Sequence, residues 1–214
     1  MKKTQTGFTL IELAIVLVII GLLLGGVLKG QELINSAKAK NIAGDFKNVQ
    51  IFIYGYQDKF RAIPGDDANV AAHVTGGTAA ASPAGTLNNA QINGAWDSVT
   101  PTDESFLFWQ HVRLAGFATG PTNIADPAYL PRNADSGRLG VQSITGFNTI
   151  NGMTGLYVVC SENISGRLAK QIDINLDDGD TSAGSLRAIV AGNPAAVATN
   201  LIVDGNPYTV CMSF

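Results

Sequence analysis

The best candidate for binding chemistry is the acidic run Asp173-Ile174-Asn175-Leu176-Asp177-Asp178-Gly179-Asp180. Oxygen-rich side chains on a turn suit calcium, which takes about 6–8 oxygen ligands, and Asp177, Asp178 and Asp180 are the expected donors. The spacing is not that of an EF-hand. A loop of that kind starting at Asp173 needs glycine where Asp178 stands and glutamate where Gly184 stands. The plainer alternative is a helix ending near Leu176, with Gly179 as its stop and solvated acids beyond it. That alternative needs no cofactor and is preferred.

Other reactive side chains point away from catalysis. His111 lies among apolar residues and His73 in a different, polar neighbourhood, so no nucleophile, base and orienting group can be assembled from them and the serines. The chain is not expected to be an enzyme. Asp66 and Asp67 could hold a metal, but a Pro64-Gly65 turn followed by an Asp cap on a short helix accounts for both acids more simply. Aromatic residues at helical spacing, Phe46, Tyr56 and Phe60 among them, read as core and not as an electron path. Net charge is −3, with no basic cluster outside the leader and the Lys38-Lys40 region, which argues against a nucleic-acid partner.

Glu12 is the unusual acid. It interrupts a run from Phe8 to Leu28 that is otherwise apolar or small at nearly every position and long enough to cross a bilayer as a helix. An unpaired charge near a span's centre costs roughly 2.5–3.5 kcal/mol, so Glu12 needs a partner. Lys2 and Lys3 sit outside the run and Lys29 at its far end. Cutting the chain after Gly7 would give Phe8 a free, positively charged amine, and a neighbouring molecule's amine could then neutralise Glu12.

These residues carry a family resemblance. Lys2-Lys3 followed by Gly7-Phe8-Thr9-Leu10-Ile11-Glu12 resembles the class III signal of type IV pilins and pseudopilins. The resemblance implies cleavage after Gly7 by a membrane-embedded prepilin peptidase, N-methylation of Phe8, and assembly through Glu12. A secretory signal peptide has a shorter apolar region and a cleavage site beyond it, whereas here the site precedes the run. A plain anchor explains the length and the basic flank but not Glu12.

The helix is expected to continue past the membrane. Ile42, Phe46, Val49, Ile53, Tyr56 and Phe60 recur at alternating steps of four and three, which is one stripe on a helix, and Ile63-Pro64-Gly65 supplies a stop. A helix over residues 8–63 would be about 84 Å long. Its outer stripe should bury against the chain's own head, and its inner half must find lipid or other subunits. Many pilins carry a proline about three turns beyond the glutamate. This chain has Gly25, Gly26 and Gly30 nearby, so any local melting on assembly would work through glycine.

The head is read from the rest. A loop-like stretch of Gly, Ala, Asn, Thr and Ser covers 75–99, and a helix is expected from a Thr100 cap to about Ala115, with Gly116 as its stop. Phe106, Trp109 and Leu114 should face the core, as should Val112 or its neighbour. Residues 117–137 form another loop. Strands are expected over 139–147, 153–160, 186–191, 200–204 and 208–214, with a helix carrying Leu168 and Ile172 behind a Ser165 cap. Cys160 and Cys211 fall in strand-like settings, and outside the cytoplasm a disulfide between them is expected, with two separate buried thiols as the alternative. Many pilins tie their C-terminal region in this way, so the resemblance agrees.

The expected fold class is therefore α+β and type IV pilin-like: a long N-terminal helix packed on a C-terminal antiparallel β-sheet head with long loops. Leader 1–7, helix 8–63 (8–28 in the membrane) and head 64–214 are the expected divisions. The expected role is a structural subunit of a type IV pilus-like filament. Its partners are further copies, the prepilin peptidase and an inner-membrane assembly platform. The chain would sit in the inner membrane with a periplasmic head before joining a filament. A type II secretion pseudopilin and a minor pilin that binds a surface through its loops are the alternatives. Major secretion pseudopilins bind calcium in a C-terminal loop, but their ligand pattern is not matched residue by residue here.

Overall fold

The computed structural model describes residues 9–82, 86–145, 150–191 and 199–214. One helix, α1, runs over Leu10–Phe60 without interruption, and Gly21, Gly25, Gly26 and Gly30 are all helical. The chain divides into two compact units, Met1–Ala37 and Lys38–Phe214. In the first, every described residue up to Lys29 is exposed.

The second unit contains the core. Ile42, Phe46, Val49, Ile53 and Tyr56 of α1 are fully buried, so the spacing-derived stripe is the packed face, and Phe60 at its end is half-buried. The helix ends three residues before the expected boundary. Arg61 adopts a left-handed conformation (φ 57°) and its N–H bonds back to the Gln57 carbonyl, the usual way of closing a last turn. A β-carbon at Gly65 (φ 94°) would collide with the Glu104 carbonyl, so only glycine lets the chain turn back there.

Beyond it lie a single-turn helix α2 (Val70–His73), the helix α3 (Glu104–Leu114), strands β1 (Leu139–Ser143) and β2 (Tyr157–Ser165), helix α4 (Gly166–Leu176), and strands β3 (Leu186–Val190) and β4 (Pro207–Ser213). The four strands form one antiparallel sheet in the order β1-β2-β4-β3. Helices α1, α3 and α4 share a core with Val141, Val159, Val210 and Met212. A second, smaller cluster of Ile150, Val158, Cys160, Ile189 and Cys211, with Trp96 packed against it, covers other positions of the same strands. Alternate residues of β2 thus enter different clusters, as the period of two requires.

Helix α3 is buried from Glu104 to Arg113, including its charges. The Glu104 carboxylate accepts the Thr86 hydroxyl and the Asn93 N–H and amide, while Arg113 donates to the Pro121 and Tyr129 carbonyls. These charges pin the two long loops to the core and replace the water each would otherwise keep.

Several expectations are corrected. Asp103, not Thr100, precedes α3, because residues 100–103 close a turn of their own through the Asp103 N–H and Thr100 carbonyl. Gly116 (φ 85°) does stop this helix, with Phe117 N–H on the Val112 carbonyl and Gly116 N–H on that of Arg113. Leu114 is only half-buried. Strand β2 begins at Tyr157 and continues through a bulge to Ser165. Residues 200–204 form no strand: Leu201 and Val203 are exposed and Ile202 alone is buried.

Candidate functional site

Thr9, Leu10, Ile11 and Glu12 build the start of α1. Glu12 Oε2 accepts both the backbone N–H and the hydroxyl of Thr9 at 2.8 Å, and the Thr9 hydroxyl oxygen accepts the Glu12 N–H at 3.3 Å. This is a capping box: Thr9 stands at the cap, Glu12 at the third helical position, and each satisfies a backbone donor that the first turn leaves open. The chain itself therefore supplies hydrogen bonds to Glu12. They do not neutralise its charge, and no Lys or Arg pairs with Glu12 among the described residues. The pattern Thr-x-x-Glu was the sequence signal for this box. Gly7 and Phe8 lie outside the described residues.

Beyond Glu12 every residue up to Leu28 is apolar or glycine and exposed. Leu10 is 89% exposed, and Leu17, Leu22 and Leu28 are each about two-thirds exposed or more. The helix is long and apolar enough to cross a membrane.

In the second unit the chemistry-bearing residues are distributed. Cys160 and Cys211 are bonded to each other, directly opposite in the β2–β4 register with Cα atoms 4.1 Å apart. His111 is buried, accepting the Gly65 N–H at Nδ1 (2.9 Å) and donating from Nε2 to the Thr78 carbonyl (2.8 Å). Burial pushes its pKa down, so it is a neutral ring joining two loops. Asp67 is buried too and caps no helix, Asn69 holding that position before α2. Its carboxylate accepts the Tyr56 hydroxyl, the His73 ring nitrogen and the Asn69 N–H. Asp66, also buried, accepts the Asn89 and Ala90 N–H groups, and burial raises its pKa to about 6. Both acids are thus taken up by protein donors.

The acidic run is divided differently. Asp173, Asp177 and Asp178 each bring a carboxylate oxygen within 4.8 Å of the others, at the end of α4. Asp180 is outside that group, its Oδ1 held by the Ser182 N–H and hydroxyl. Asp173 opens the acidic run in the sequence but stands outside the expected donor set of Asp177, Asp178 and Asp180. It is fully buried.

Residues 2–28 match the family model for the prokaryotic N-terminal methylation motif. The chain carries a prepilin signal. Signals of this kind mark type IV pilins and pseudopilins, and the matched segment takes in the whole capping box and the exposed apolar helix after it. No curated protein and no solved structure matches the chain. The prepilin signal, the long apolar helix, the α+β head and the disulfide agree with one another.

Proposed function

We propose that the chain is a structural subunit of a type IV pilus-like filament, cleaved after Gly7, methylated on Phe8 and assembled by packing of its N-terminal helix. The observation that carries this reading is the continuity of the prepilin signal with a helix whose large apolar residues from Leu10 to Ile34 are exposed among the described residues. Such a surface stays dry only in lipid or against other copies, and each Å² removed from water contributes roughly 25 cal/mol. The membrane holds the subunit first, and the filament core replaces the membrane. Prepilin peptidase and an inner-membrane assembly platform are the implied partners, with the head outside the cytoplasm, where the Cys160–Cys211 bond is chemically at home. The subunit's role is architectural.

Within the filament, the new Phe8 amine of one copy and Glu12 of its neighbour form the pair that selects register. A glutamine in place of Glu12 tests this, because it keeps an oxygen for Thr9 and deletes only the charge. Glu12→Gln should be processed and inserted normally, and yield little sheared filament. Normal yield from that variant would reject the pairing, and a mature N-terminus anywhere but Phe8 would reject the reading as a whole. Filament sheared from the cell surface identifies a pilus; retention in the cell envelope together with a defect in protein secretion identifies the pseudopilin alternative.

A further inference from the structure

We propose that Asp173, Asp177 and Asp178 bind a hard divalent cation, calcium in preference to magnesium, where α4 ends and the chain turns toward β3. Asp173 is the deciding residue. It is completely buried, and neither of its oxygens has a hydrogen-bond partner, although the Gly179 N–H lies close enough to act on it weakly. A buried carboxylate left in that state is costly unless a cation or donor meets it. What it faces instead is two more carboxylates, with one oxygen of each of the three inside a 4.8 Å span.

Among the described residues no basic side chain forms an ion pair with these three acids. The last turn of α4 has no basic residue, and it is the negative pole of the helix, where acids are disfavoured and cations favoured. Nearby cations are engaged elsewhere: Arg167 and Lys170 pair with Asp204, and Arg187 donates to the Gly184 and Asn151 carbonyls. Three acids, one of them buried, converge at the wrong end of a helix. A divalent cation resolves all of these conflicts together.

The oxygens are also free to bind. Asp177 uses Oδ2 to accept the Leu186 N–H (2.9 Å), and Asp178 uses Oδ1 to accept the Asp180 N–H (2.8 Å), which leaves the other oxygen of each, and both of Asp173. Asp178 is exposed, so water can complete the shell. An all-carboxylate set selects a hard ion. Calcium takes about 6–8 oxygens in a flexible shell and so accepts three carboxylates completed by water, whereas magnesium demands a near-ideal octahedron and dehydrates reluctantly. Because Asp177 also holds the first residue of β3, the ion would tie the end of α4 to the sheet.

The test uses the full chain in detergent, with calcium chloride as the probe. Titration calorimetry and thermal unfolding are run in chelator and in millimolar calcium. The expected result is one calcium per chain and a higher melting midpoint with it. Asp178→Asn, at an exposed position, should weaken calcium at least about tenfold, and Asp180→Asn should leave it within about twofold. Asp173→Asn should abolish the calcium-dependent shift and, in chelator, melt no lower than the unaltered chain. No uptake at millimolar calcium would overturn the proposal. So would uptake that survives Asp178→Asn unchanged, which identifies adventitious binding to surface acids and decides the matter even if the Asp173 variant does not fold.

Discussion

His111 shows how a side chain capable of chemistry is used for structure. Its two ring nitrogens join the Gly65 N–H to the Thr78 carbonyl, the Tyr56 ring stacks on it at 6.2 Å, and Asp67 opposes, without cancelling, the fall in pKa that burial causes. The unfolded chain takes up a proton near pH 6.5 and the folded chain resists it, so stability should fall as pH drops below that value, by at most about 1.4 kcal/mol per pH unit. Asp45 and Asp66 act in the opposite sense. Their folded pKa values are raised to about 6, so their contribution is lost as pH rises from about 4 to about 6. A variant isolates the histidine from them. His111→Leu orphans two buried backbone groups and should cost about 1–3 kcal/mol for each at pH 7.5. The gap between it and the unaltered chain should then narrow between pH 6.5 and 5.5 in urea melts; a constant gap would show that the ring is protonated in the fold. Thr9 is a smaller case. Thr9→Val removes the hydroxyl half of the capping box and should lower the helicity of the first turn, at a cost of about 1 kcal/mol, measurable by amide exchange in micelles.

Among the elements, those fixed by a sustained period were legible and those fixed by a neighbour were not. The stripe from Ile42 to Tyr56 could be read because one residue type recurs on one face of a helix, and β3 and β4 because β-branched runs end at turn residues. Leu201-Ile202-Val203 has the same local look as a strand. It fails to become one because its backbone groups are taken locally: its Val203 N–H goes to the Tyr208 hydroxyl and Val203 O accepts from Asn206, closing a turn. The α3 cap was misplaced for a related reason, since Asp103 spends its carboxylate on the Ser98 hydroxyl and the preceding turn takes its N–H. Gly140 depends on a contact too distant in sequence to infer. A β-carbon there would collide with the Trp96 carbonyl, which lies across β1 opposite the disulfide partner Cys160. The disulfide itself was readable as a pair but not as a register. It closes a separation of 51 residues, so replacing both cysteines by alanine should cost about 4 kcal/mol at most, read as a lower urea midpoint with native sheet content retained.

At the scale of the molecule, burial separates what folds from what assembles. Every member of the two core clusters lies between Ala39 and Met212, and the large apolar residues from Leu10 to Ile34 are all exposed. The folding free energy of the head therefore resides in residues 38–214, where the disulfide and the Lys38–Asp135 pair also belong. A chain beginning at Lys38 should fold without detergent, stay monomeric in sedimentation, and melt within a few degrees of the full chain in micelles. Aggregation of that fragment, or a much lower midpoint, would mean that the membrane half of α1 is needed for the fold. The complementary result is expected of the full chain: without lipid or detergent it should associate, because the sixteen large apolar residues exposed between Leu10 and Ile34 leave water only against lipid, detergent or other copies. Self-association that depends on residues 10–37 while the fold does not is the division of labour that a filament subunit requires, since the head must survive intact when the helix leaves the membrane.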